Sequence, residues 1–366
     1  MALQFRMKRH KPLLTFSLLF CSLFAFPQQS QPDFSLIDSL VFKVKYKNDL
    51  TSLTQELTNH YSGQLYKARA IFRWITENIR YDYQYYNKYY YKGKEAKTYK
   101  CKEDENCEAK RIAWETKYLD RVLRKKKAAC QGYSMLFKKM CDIAGLKSEI
   151  ITGYVRTEYY QIGSVGTLDH AWNALLLDST YYLLDATWAA GSCGKDDNGK
   201  LLYFNKSFNN YYWLTPAADF ARNHYPQNSK WVLLSNYTKE NFTANPYYAS
   251  TELCNMKLIT PASGVIAAKK GDTLHFKIEY ARAINNLQIN SNLFRNPDIY
   301  VWDEVSKRKR VRRLDTLAVK KQQYIPYKQN SSICEFDYIV TDNSLYYLDI
   351  LFDRERVMRF KVVTNK

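Results

Sequence analysis

A chain of 366 residues with 46% hydrophobic side chains is long for one domain and sufficient for two cores. Its formal net charge of +19 directs it toward anionic partners, and no segment beyond the N-terminal one is apolar enough to cross a bilayer. No Cys-x-x-Cys pair occurs and the five histidines do not cluster along the chain, so the spacings carry no metal signature and imply no cofactor.

The first 25 residues read as an export signal. Arg6, Lys8, Arg9 and Lys11 make a basic start, residues 13–26 form an apolar run of 14, and polar Gln28, Gln29 and Ser30 follow. That run has the length of a signal-peptide core and falls short of the ~20 apolar residues of a membrane span. Cleavage near Ala25 removes four positive charges and leaves about +15, with no transmembrane segment in the mature chain. The expected location is the periplasm, the cell surface or the extracellular space. Export argues against nucleic acid and for an anionic cell-envelope polymer or an acidic protein surface as partner. The densest basic run, 307–313, reads as a solvated loop or strand edge.

Leu65, Ala68, Phe72, Ile75 and Ile79 fall on one stripe of a helical pattern running from 53 to 79. Residues 82–120, rich in Tyr, Lys and Glu and including Tyr85, Tyr86, Tyr89, Tyr90 and Tyr91, read as a surface insertion rather than core. It is either a substrate-facing flap or, the favoured reading, a solvated insertion stapled by a Cys101–Cys107 pair. A helix returns at Cys130 with Tyr133, Phe137, Met140 and Ala144 on one face, and Gly145 supplies a left-handed stop. Strand patterns follow at 149–155, 170–177 and 181–185, with a Gly-containing loop at 163–166. Past residue 246 short alternating segments at 273–280, 298–302, 336–341 and 345–352 predict a separate sandwich of immunoglobulin-like type. The expected class is therefore α+β: a leader over 1–25, helices packed on an antiparallel sheet over 26–249, and a β-rich domain over 250–366.

Seven cysteines remain after loss of the leader: Cys101, Cys107, Cys130, Cys141, Cys193, Cys254 and Cys334. An odd number leaves at least one thiol unpaired. Cys130 stands at a helix start, where unpaired N–H groups attract negative charge, behind the basic run Arg124, Lys125, Lys126 and Lys127. Gln131 and Gly132 follow, the glycine leaving room for a substrate. If Asp178 and Ser179 form a two-residue hairpin loop, strand alternation puts His170, Trp172 and Asp185 on one face, with His170 and Asp185 one diagonal step apart. A three-residue loop would turn Asp185 to the other face. Thiol chemistry needs a nucleophile, a base and a group that orients the base, and Cys130, His170 and Asp185 provide one of each.

The motifs Ala129-Cys130-Gln131-Gly132-Tyr133-Ser134, His170-Ala171-Trp172-Asn173 and Leu184-Asp185-Ala186-Thr187-Trp188 together resemble the transglutaminase-like superfamily. Residues 67–75 and 79–82 resemble the helix that precedes the cysteine there. Within the superfamily the chain is most similar to the kyphoscoliosis-peptidase and cytokinesis-protein type, on the evidence of 211–216, 224–226 and 231–234. The resemblance covers roughly 33–234. It implies a papain-like fold, Cys130 as nucleophile, His170 as base and Asp185 as orienting group, with Gln131, Trp172, Asn173 and Trp188 as substrate-binding or supporting residues.

Two functional readings stay open. One is an exported thiol enzyme acting on peptide or protein amides, either a peptidase or amidase or an acyltransferase. The other is a catalytically inactive envelope-associated protein using the same fold to bind peptide or glycan, for which 32 tyrosines and the basic charge are suited. Fold alone does not choose between them.

Overall fold

The computed structural model describes residues 32–92, 101–102, 106–196, 198–306 and 309–364. The leader expected at 1–25 and Lys307 and Arg308 of the basic run lie outside them. The helical pattern of 53–79 is present as two helices, Leu50–Thr58 and Gln64–Asn78, because Asn59 closes the first and Gly63 opens the second. The second is buried all round from Ala68 to Thr76, including Arg69 and Arg73. Arg69 is tolerated there because it forks onto Asp38 of the Ser35–Val41 helix, with Nε and Nη2 at 2.9 and 2.7 Å, and Nη1 donates to Asn210 at 2.6 Å.

Cys101 and Cys107 form a disulfide, as their spacing suggested. Beyond it the expected insertion departs from the sequence reading. A helix of 19 residues, Cys107–Lys125, runs through and past it, burying Leu119, Val122 and Leu123 in its last turns. Its charged upper turns hid it, since the apolar stripe is confined to one end. Lys126 then adopts a left-handed conformation, φ 50°, and the Cys130–Ile143 helix begins after Ala129. Gly145, φ 71°, ends it as expected. Gly132 serves a different purpose from the one expected. A Cβ there would lie 2.7 Å from the Ala128 methyl and 2.8 Å from the Tyr118 hydroxyl, so its bareness lets those neighbours close on the helix rather than admit a substrate.

These helices lie against a four-stranded antiparallel sheet in the order Thr180–Leu184, Leu168–Leu177, Ser148–Val155, His224–Pro226. Asp178 and Ser179 are both left-handed, φ 44° and 69°, which gives the two-residue turn that fits strand twist. The resulting register pairs Leu177 with Thr180 and Asn173 with Leu184. The same-face arrangement depended on this even loop. Asp185 itself is not the last residue of a strand. It caps a short helix, Ala186–Ala190, and its side chain accepts from the Thr187 and Trp188 N–H groups.

From Tyr247 onward the chain builds two sheets over one core. One runs Met256–Thr260, Thr273–Tyr280, Ile333–Ile339, Lys328–Asn330; the other runs Val265–Ala267, Glu355–Val363, Tyr347–Phe352, Leu287–Ser291. Phe276 meets Phe360 edge-on across the gap with centroids 5.2 Å apart, and Ile278, Phe336, Ile350 and Met358 fill the space around them. The Tyr300–Ser306 and Lys309–Leu314 strands pair only with each other among the described residues, and Val311, Arg312 and Arg313 are exposed on that ribbon. The fold class is thus the expected α+β, with helices packed on an antiparallel sheet followed by a β-rich sandwich. The described residues from Ser35 onward form one compact unit. Across residue 249, Arg222 Nη1 donates to the Leu253 and Met256 carbonyls at 3.0 and 2.7 Å.

Candidate active site

Cys130 is the first residue of its helix and only 4% exposed. Its thiol donates toward the carbonyl of Asp169, the residue before His170, at 3.6 Å. It is one of five free cysteines among the described residues, the others being Cys141, Cys193, Cys254 and Cys334. His170 turns Nε2 to Asp185 Oδ2 at 2.7 Å, which leaves Nδ1 outside that bond. Asp185 is fully buried. Its Oδ1 accepts from the Thr187 and Trp188 N–H groups at 2.8 and 3.1 Å, and its Oδ2 accepts from His170 and from His224 at 3.2 Å.

Electrostatics follow from this packing. Burial alone would raise the Asp185 carboxyl, but the charge of His170 and the hydrogen bonds of both histidines hold it well below the usual carboxylate range. Burial alone would lower His170, yet the charge and hydrogen bond of the Asp185 carboxylate push the ring above its ordinary value, toward the imidazolium. Burial pushes His224 down to about 4, so that ring is neutral beside the same carboxylate.

The remaining expected residues fall in different places. Trp172 is buried against Gly153, where a Cβ would meet the indole at 2.3 Å, and its ring lies 6.1 Å from His170. The Trp188 ring lies 5.3 Å from His170 and is half-buried. Asn173 donates to the Ser134 and Glu149 carbonyls at 3.1 and 3.3 Å, clipping the His170 strand to the Cys130 helix and to the next strand. Of the four, Gln131 alone is exposed, one residue after Cys130 in the chain.

Sequence reasoning missed His224. The expectation that the histidines do not cluster is corrected here, because the His170 and His224 centroids are 5.6 Å apart. Pairing of Val155 with His224 brings the latter to the sheet edge, and a contact made through strand pairing leaves no mark in local spacing. The only signal was the His224-Tyr225-Pro226 motif. His170, Asp185 and His224 place one ligand atom each within 4.8 Å of the others, the geometry of a candidate metal set. In the folded chain both histidines instead bond the same carboxylate oxygen.

A family model described as a transglutaminase-like domain matches residues 48–194. The kyphoscoliosis peptidases of Mus musculus and Homo sapiens are each 28% identical over 242 residues, 65% of this chain and 32% of theirs. Hillarin of Drosophila melanogaster is 24% identical over 214 residues, 55% of this chain and 23% of its own. This chain therefore spans about a third or less of the length of these relatives. A solved TGase structure aligns over 47% of this chain and 38% of its own, at 16% identity and a TM-score of 0.26. The chain carries a transglutaminase-like domain, and Cys130, His170 and Asp185 all lie within the 48–194 stretch that defines it.

Proposed function

We propose that this is an exported thiol enzyme acting on peptide or protein amides through Cys130, His170 and Asp185, in a catalytic domain of 26–249 followed by a β domain of 250–366. The observation that carries the reading is the 2.7 Å bond from His170 to a buried Asp185 whose other oxygen is fixed by two backbone N–H groups, with the Cys130 thiol 3.6 Å from the carbonyl of the preceding Asp169. In such a set the thiol proton passes to His170 Nδ1 as sulfur attacks the amide carbonyl. The amine leaves with that proton and a thioester stays on Cys130. Water or a second amine then attacks the thioester with His170 as base, giving hydrolysis or acyl transfer. The name of the mammalian relatives favours a peptidase. The positive charge of the chain fits an anionic cell-envelope polymer as the surface on which it works.

The second reading, a binding protein without turnover, is favoured by one observation: the thiol is 4% exposed, so a substrate has to displace cover to reach it. The two separate in one assay with unfolded casein as amide substrate. Release of new amino groups, or incorporation of a labelled primary amine, is expected from the wild-type chain and not from Cys130→Ala. Neither product from the wild type, or the same product from the variant, overturns the enzyme reading.

A further inference from the structure

His224 has no part in the steps above, yet it holds the same Asp185 oxygen as His170. Four donors meet this carboxylate, two backbone N–H groups at Oδ1 and two imidazoles at Oδ2, so it has no slack in which to turn. The His224 ring is itself clamped. Phe220 stacks on it at 4.1 Å, Trp188 tilts against it at 4.5 Å, and Trp172 meets it edge-on at 5.1 Å. Its Nδ1 faces Asn223 Oδ1 at 2.6 Å, and the Asn223 amide N–H donates to the Tyr212 hydroxyl at 3.4 Å. A neutral imidazole that donates from Nε2 has only a lone pair at Nδ1. With the ring donating from Nε2 to Asp185 Oδ2, Nδ1 and the Asn223 oxygen would both be acceptors; turning the Asn223 amide over, so that its N–H meets Nδ1 and its oxygen takes the Tyr212 O–H, satisfies every atom. All four side chains are buried.

We infer that His224 is a positioning residue for His170: backed by Asn223 and Tyr212, it fixes the Asp185 carboxylate in the orientation that presents the His170 ring to Cys130. The inference rests on the proposed catalytic role of Cys130, His170 and Asp185. A residue of purely structural value would be served by any ring that fills the site, whereas a positioning residue has to donate a hydrogen bond. Two substitutions separate these. His224→Phe keeps an aromatic ring among Phe220, Trp188 and Trp172 but has no donor. His224→Gln offers an amide N–H that can reach Asp185.

The measurement is the rate of iodoacetamide modification of Cys130 near neutral pH, read by peptide mapping of the full chain, with circular dichroism and melting curves alongside. His224→Phe is expected to slow Cys130 about tenfold, the equivalent of one buried hydrogen bond, and His224→Gln to recover most of that loss. His170→Ala and Asp185→Asn are run in the same series. If they slow Cys130 and His224→Phe does not, the His224 inference fails and the catalytic reading stands. If both His224 variants are slowed equally, the role is structural and the inference also fails. If none of the variants is slowed, the catalytic reading falls and takes the inference with it. Should His224→Phe not fold, Asn223→Leu carries the test by removing the partner of Nδ1: a slowed Cys130 on an intact fold supports the inference, and the wild-type rate overturns it.

Discussion

Asp185→Asn is expected to leave the chain folded and to slow Cys130 alkylation by about tenfold or more, since a thiol without an activating base is only a few per cent thiolate near neutral pH. The fold survives because asparagine keeps an oxygen at the Oδ1 position, where the Thr187 and Trp188 N–H groups need an acceptor. The chemistry suffers because an N–H₂ group then faces His170 Nε2. That nitrogen has to become the acceptor, Nδ1 has to carry the proton, and the ring cannot take one from the thiol. Asp185→Ala loses both functions and is expected to cost several kcal/mol of stability as well, about 1–2 for the cap and the rest for two imidazoles without a buried acceptor.

The same pair sets an expected pH dependence. The Asp185 carboxyl is depressed in the fold, so its contribution to stability is present above its ordinary value and is lost as pH falls through the folded one. His170 is raised, so its contribution is present below its ordinary value and is lost as pH rises through the folded one. Urea midpoints of the wild type minus those of Asp185→Asn should therefore be largest between those limits and shrink toward both extremes. A difference that does not change with pH contradicts this.

The second large effect is at Arg156. This guanidinium is 5% exposed and donates to no carboxylate among the hydrogen bonds and ion pairs of the described residues. It donates instead to backbone carbonyls, those of Phe242 and Thr243 at 3.0 and 3.1 Å, Ser164 and Pro246 at 3.3 and 3.4 Å, and Asn245. The Phe242 ring lies 5.1 Å away, and burial pushes the group down to about 10. One side chain thus ties the end of the Ser148–Val155 strand, the loop before His170, and the segment that leads into the sandwich. Arg156→Met removes every donor and leaves several carbonyls dry, at an expected cost of about 3–5 kcal/mol. Arg156→Lys keeps the charge but has a point donor in place of a planar fork, and is expected to restore less than half. Urea denaturation checks both, and an unchanged midpoint for Arg156→Met contradicts the account.

Much of the site was legible in the sequence because its geometry is local. The Asp178-Ser179 turn sets the register that carries His170 and Asp185 to one face, and a two-residue turn can be read from four letters. Cys130 at a helix start followed from the apolar stripe behind it. What was not legible depends on contacts between distant segments. His224 reaches Asp185 through strand pairing with Val155, across 39 residues of sequence from the carboxylate. Gly132 was misread for the same reason, since the neighbour that needs its bareness, Tyr118, sits on a helix whose charged turns concealed it.

The claim that Cys130 is a nucleophile with His170 as its base is tested most directly by a competition inside one molecule. The folded chain holds a buried Cys130 and an exposed Cys254, while burial raises the Cys141, Cys193 and Cys334 thiols above their ordinary range and keeps them protonated. A limiting amount of iodoacetamide at mildly acidic pH, followed by mass mapping, compares the two directly. If His170 draws the thiol proton, Cys130 is modified first in spite of its burial, by about tenfold or more over Cys254, and His170→Ala reverses the order. Modification of Cys254 first in the wild type, or Cys130 found in a disulfide, contradicts the account.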